Sequence, residues 1–312
     1  MFAQRRFDAF DKRATLAATV FGLLFALVAI SGCDRDRALA VRRLNEGLKS
    51  WERGETVEAV EKIKKAAQAD ADFAKPHYQA AQIYEIELDE PSKAQQHYRS
   101  ALDIEPKNPD YSYGLARVLA SQGKHEEAAK FYRQTVENDE KHAKAWFRLG
   151  LSQRALGDNS GAVQSFTKAI RAVPRMRMDD DDPGGAHYHA LGDLYVEFGF
   201  YDKALKVYEN GIRNLPKSTR LYQGRGVAQL ALERYSEAAQ SFEKALEKDS
   251  SNATALFNLA VAHEAMGHPK GAINALEQFL QVAERGSNRA RIAAAQGMMQ
   301  KLEKQANSKK NK

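Results

Sequence analysis

The stretches "AKAWFRLGLSQRALGDNSGAVQSFTKAIRAVP", Ala143 to Pro174, and "GAHYHALGDLYVEFGFYDKALKVYENGIRNLP", Gly185 to Pro216, align without a gap. Trp146 falls on Tyr188, Leu149-Gly150 on Leu191-Gly192, Gly157 on Gly199, Ala162 on Ala204 and Phe166 on Tyr208, and the two prolines coincide. Self-similarity of this length marks a chain built from stacked units, because a single helix pair is apolar on a face that it cannot cover alone.

Carried along the chain, the same register divides it into 40–73, 74–108, 109–142, 143–176, 185–218, 219–252 and 253–286. Early in the first half of each unit stands a small residue: Gly47, Ala81, Ala116, Gly150, Gly192, Gly226 and Ala260. In the second half stands an alanine: Ala59, Ala94, Ala128, Ala162, Ala204, Ala238 and Ala272. Small side chains at fixed places are what two helices need where they approach closely. The second unit holds one extra residue near Asp89-Glu90-Pro91, with the proline suitably placed to begin a helix. This pattern resembles the tetratricopeptide repeat, a helix-turn-helix of about 34 residues. The resemblance implies an all-α TPR solenoid of about seven helix-turn-helix repeats over 40–286. Beyond Asn288 the pattern stops. Residues 287–306 read as a C-terminal capping helix closing the stack, and the lysine-rich end 307–312 as a basic disordered tail.

The amino end has a different character. Arg5, Arg6, Lys12 and Arg13 precede an uncharged apolar run from Leu16 to Ile30, the shape of an export signal. A spanning helix needs roughly 20 apolar residues, so this run suits a secretory leader better than a permanent anchor. Ile30-Ser31-Gly32-Cys33 resembles the bacterial lipobox, an aliphatic residue and two small ones before a cysteine. That resemblance implies a lipoprotein signal peptide over 1–32, cleavage before Cys33, lipidation of its thiol and a lipidated linker over 33–39. The alternative is an uncleaved anchor. Either way the body of the chain is exported and tethered to a membrane. Cys33 is the only cysteine, so disulfide pairing within the chain is ruled out. Asp34 follows it and resembles the retention signal of enteric inner-membrane lipoproteins, which favours the periplasmic face of the inner membrane over the outer membrane.

Composition is that of an ordinary helical protein, with 28% charged and 43% hydrophobic residues and eight prolines. The formal charge of +6 is concentrated at the ends: the leader holds four cations and two acids, and 301–312 five lysines and one glutamate. The body is near neutral, so no nucleic-acid footprint is expected.

No arrangement of catalytic groups is complete. His125-Glu126 and His263-Glu264 begin like a zinc-protease signature, but the second histidine would fall at Ala129 and Gly267. The glycines of Gly157 to Gly161 lack the spacing of a nucleophile elbow. The acidic run Asp179 to Asp182 lies in an insertion, 177–184, and does not alternate its ligands as a calcium loop does. We therefore expect no enzyme, no cofactor and no metal.

In the family that the repeats resemble, the first helix of each unit lines a concave groove, and its second, fifth, ninth and twelfth positions face a bound peptide. Carried over residue by residue, the fifth-position row is Leu44, Tyr78, Tyr113, Phe147, His189, Gln223 and Phe257, and its polar neighbours include Lys75, Gln82, Arg117, Lys144, Arg154, Asp193, Arg220 and Glu264. Aromatic anchors with arginines are enriched in protein interfaces, so Tyr78, Tyr113, Arg117, Phe147, Arg154, His189 and Phe257 are the candidate protein-binding residues. The carboxylate clamp of chaperone-binding members is incomplete: Lys144 and Arg148 fit, whereas Tyr78, Gln82 and Gly114 stand where the other members belong. Repeats plus anchor point to an interaction scaffold or adaptor in the bacterial envelope, with a pilotin-like assembly factor for a type IV pilus or secretin as the alternative.

Overall fold

The computed structural model describes residues 32–172, 183–283 and 289–310. They form α-helices and turns with no strand among the described residues: α1 Gly32–Glu52, α2 Thr56–Ala69, α3 Ala74–Ile86, α4 Pro91–Ile104, α5 Pro109–Ser121, α6 His125–Asn138, α7 Ala143–Ala155, α8 Asn159–Ala172, α9 Pro183–Glu197, α10 Tyr201–Asn214, α11 Thr219–Ala231, α12 Tyr235–Leu246, α13 Ala253–Ala265, α14 Pro269–Ala283 and α15 Arg289–Lys310. The all-α repeat class expected from the register is the class observed. None of these helices is long and apolar enough to cross a membrane.

Two compact units divide the chain between Asp158 and Asn159, inside the fourth repeat. In the first, α1–α2, α3–α4 and α5–α6 are antiparallel hairpins that stack in order, with α7 against α6. Its core runs from Leu44 to Leu149 and holds Ile63, Ile83, Tyr98, Leu115, Leu119 and Tyr132. The second begins with α8 on α9 and continues through the hairpins α9–α10, α11–α12 and α13–α14 to α15. Its buried residues fall into one cluster around Tyr208 and Leu221 and another around Phe242, Leu276 and Phe279.

The turn within each hairpin requires one residue with positive φ. Gly123 supplies it at 76° and Gly199 at 74°, a conformation that costs glycine little. The register places Asp89 and Glu233 at the same point, and both adopt it, at 52° and 60°. Pro91 starts α4 and Pro109 starts α5, the latter capped by Asn108, whose side chain accepts from the Asp110 amide at 3.1 Å.

Four segments differ from the sequence expectation or lie outside the described residues. Residues 33–39, expected as a linker, are helical and continuous with the first repeat, since α1 begins at Gly32. At the other end α15 continues to Lys310, so 307–310 are helix and not a disordered tail. The rest of the leader, 1–31, and the acidic run Asp179–Asp182 lie outside the described residues.

Candidate protein-binding face

In the first unit α3, α5 and α7 neighbour one another along one side of the stack, which brings Tyr78, Tyr113 and Phe147 onto one face. All three are half-buried. Leu44, from the same row, is buried and belongs to the core. Tyr78 and Tyr113 each pack against further aromatic rings. The Tyr78 ring lies 5.0 Å from that of Tyr111 and 5.9 Å, edge-on, from that of Tyr98. Tyr113 lies 5.9 Å from Tyr132 and 4.7 Å from His142. His142 is itself fixed, because its Nδ1 accepts from the Ala145 amide at 3.1 Å and caps α7.

Charge on this face is organised around a carboxylate that the row did not include. Glu85 on α3 accepts from the Tyr98 hydroxyl at 2.8 Å and from the Arg117 guanidinium. Burial works against the charge on Arg117, and Glu85 with the Tyr98 and Tyr113 phenols outweighs it, so the guanidinium pKa is raised. Burial first, and Glu85 second, also push the Tyr98 phenol well above its ordinary value. Arg117, expected as a ligand-facing cation, is thus tied across two repeats, and its guanidinium also lies 5.7 Å from the Tyr113 ring centre. Gln82 donates to the Tyr78 hydroxyl at 2.9 Å. Arg154 and Lys144 are exposed.

The second unit repeats the theme in its own hairpins. The Tyr208 hydroxyl donates to Asp193 Oδ1 at 2.7 Å, and Asp193 Oδ2 lies 2.9 Å from His189 Nδ1. Phe257 is half-buried and packs edge-on against Phe279 at 5.4 Å. Gln223 donates to the side chain of Asn252, the residue that caps α13. Glu264 is met by Lys301 of α15 at 2.9 Å, so the last helix occupies that polar position.

The predicted aromatics therefore share a face within the first unit, whereas the structure places His189 and Phe257 in the second. Sequence reasoning missed Glu85 and the pairing role of the second-helix tyrosines. The available signal was Tyr98, Tyr132 and Tyr208 at a position where Phe166 and Phe242 also serve: a hydroxyl in a core needs a partner. Tyr132 is the exception, with a buried hydroxyl that has no hydrogen-bond partner.

With this geometry in view, the chain can be set beside known proteins. One tetratricopeptide repeat model matches residues 132–176 and 189–253, and a second matches 85–149 and 229–302. Together they span more than half of the sequence, and the chain belongs to the tetratricopeptide repeat family. It is 40% identical over 81 residues to the heat-shock protein cognate co-chaperone sgt12 of Aspergillus fumigatus, covering 26% of this chain and 24% of that protein. A TPR repeat-containing protein of Methanocaldococcus jannaschii is 23% identical over 241 residues, 77% of this chain and 42% of that one. The chain thus spans less than half the length of these relatives. Among solved structures, the C-terminal part of a TPR repeat-containing protein from Cytophaga hutchinsonii superposes with a TM-score of 0.63 at 18% identity, covering 80% of this chain and 98% of that one. Pseudomonas aeruginosa pilF superposes with a TM-score of 0.53 at 16% identity, covering 86% and 99%. At these identities the likeness is one of fold.

Proposed function

We propose that this chain is a membrane-tethered, protein-binding adaptor of the bacterial envelope, lipid-anchored through Cys33 and facing the periplasm, with the inner membrane favoured by Asp34. The family supports the coarser part, since tetratricopeptide repeats serve as protein-interaction scaffolds. The anchor rests on Ile30-Ser31-Gly32-Cys33 and the apolar run before it. The observation that carries the binding role is the half-buried set Tyr78, Tyr113 and Phe147 on one face of the first unit, a surface that the core does not cover. Arg154 and Lys144 add charge beside it. A partner chain lying there would bury the Tyr78 and Tyr113 rings, which are already packed against neighbouring rings, at little ordering cost. No nucleic-acid or catalytic role enters this reading.

Tyr113→Ala with Phe147→Ala tests it. Truncating an interface hot spot costs about 2 kcal/mol or more, roughly thirtyfold in affinity, whereas half-buried rings contribute less to the fold than core ones. Partner capture from solubilised envelope, after crosslinking in the cell, should fall with the helical signal retained. A large loss of helicity without selective loss of partners would place these rings in the core and end the reading.

A further inference from the structure

The first helix begins where the apolar segment of the sequence ends. That helix, α1, starts at Gly32 and includes Cys33, so the proposed lipid attachment point is helical and continuous with the first repeat. The start of α1 is also fastened to the repeats. The Arg37 guanidinium binds the Asp70 carboxylate, donates to the Asp72 carbonyl at 3.2 Å and lies 4.5 Å over the Phe73 ring. Arg43 donates to the Lys65 carbonyl at 3.1 Å. These contacts reach α2 and the connection from α2 to α3, and hold the direction of α1 relative to them.

On the side of α1 away from that packing, Arg35, Leu39, Arg42, Glu46 and Lys49 are exposed. Their spacing of four, three, four and three residues aligns them in a single stripe along the helix. Three are cations against one acid, Glu46, which pairs with Arg42 at 3.1 Å. Leu39, 42% exposed, sits between Arg35 and Arg42. Among the described residues α1 is the first helix of its stack, and no described repeat covers this stripe.

We infer that this stripe docks on an anionic bilayer surface, so that the first repeat lies against the membrane and is not suspended from a flexible tether. The inference rests on the anchored reading above and deepens it. Cationic side chains bracketing an exposed leucine match acidic headgroups over the edge of the acyl region, the arrangement of an interfacial helix. Orientation follows from distance. With a rise of about 1.5 Å per residue, a helix standing upright would lift Arg42 about 14 Å from the anchored Cys33, beyond the screening length of about 8 Å. Lying down brings Arg35, Arg42 and Lys49 to headgroup level together, so the charges favour a helix parallel to the surface.

The test uses the full, processed chain purified from membranes, with an environment-sensitive fluorescent amino acid at position 39 or, as a control, at Val57, which is 72% exposed at the start of α2. The protein is reconstituted with vesicles of phosphatidylcholine alone or with about one quarter phosphatidylglycerol added, each also prepared with brominated chains. Flotation reports the anchor, and quenching reports the docked stripe. Docking predicts co-flotation with both lipids, with a blue shift and bromolipid quenching at 39 only on the anionic vesicles. Both should be lost in about 1 M salt, where screening shortens to about 3 Å, and in Arg35→Glu/Arg42→Glu, with 57 silent throughout. Co-flotation with position 39 behaving like 57, or equally quenched on neutral lipid, overturns the docking and leaves the anchor standing. Failure to float on either vesicle overturns the anchored reading, and this inference with it.

Discussion

The hydroxyl of Tyr208 donates to Asp193 at 2.7 Å, linking the buried second helix of a hairpin to the half-exposed side of its first. Tyr98 and Glu85 make a like link at 2.8 Å in the first unit, whereas the buried hydroxyl of Tyr132, at the same register position, has no hydrogen-bond partner. The three tyrosines form a natural comparison. Tyr98→Phe and Tyr208→Phe should each lower stability by about 1.5 to 3 kcal/mol, the range for a hydrogen bond to a charged group. Tyr132→Phe removes a buried hydroxyl without breaking a bond and should be neutral or stabilising. Urea unfolding of the three variants checks the order; equal losses would show that the acids contribute nothing.

Glycine serves two purposes in these helices, and alanine substitution separates them. A Cβ at Gly224 would stand 2.3 Å from Tyr208 Cε1, and one at Gly114 2.3 Å from Tyr98 Cε1, so both helices approach rings that cannot retreat from a packed core. Gly297 in α15 has nothing within 4 Å. Gly224→Ala should cost about 1 to 3 kcal/mol, and Gly297→Ala should add about 0.5 to 1 kcal/mol through helix propensity. Thermal melts of opposite sign are the expected result.

Glu233 bears the left-handed turn between α11 and α12 at φ 60°, where most of the other hairpins use glycine. A side chain costs roughly 1 to 2 kcal/mol in that conformation, partly offset by the greater unfolded-state freedom of glycine. Glu233→Gly should therefore stabilise by about 0.5 to 1 kcal/mol, seen as a higher urea midpoint at unchanged slope. A lower midpoint would mean that the Glu233 side chain makes a contribution larger than the strain.

His77 on α3 and His97 on α4 meet through their Nδ1 atoms at 3.2 Å. Burial lowers both pKa values, that of His97 to about 4, with His77 and then Lys64 adding to the effect on His97. A histidine with a depressed folded pKa binds its proton more readily when unfolded. Stability present above pH 6.5 should consequently decline as pH falls from about 6.5 towards 4, by on the order of 1 to 2 kcal/mol for these half-buried rings. His97→Phe should flatten that segment of the pH–stability curve. An unchanged slope would place the acid sensitivity elsewhere.

Cys33→Ala should leave the chain unprocessed and without lipid, as read by mass spectrometry of its amino terminus. Recovery of residue 1 on the unmutated protein would instead favour the uncleaved anchor.

Much of this protein was legible in sequence because a repeat is a local code. Small residues at Gly47, Gly192 and Gly226, alanines at Ala94 and Ala238, and prolines at Pro91 and Pro109 determine where helices begin and cross, and all of these relations recur within one register. The aromatic set Tyr78, Tyr113 and Phe147 was legible for the same reason. What tertiary structure alone decided involves residues from different helices: Glu85 gathering Tyr98 and Arg117, Lys301 reaching back to Glu264, Arg37 fastening the start of α1 to Asp70. Those partners lie between 13 and 37 positions apart, and they depend on which way each helix is turned when it packs. Side-chain chemistry gives each residue a choice of partners, and only the packed distance selects one.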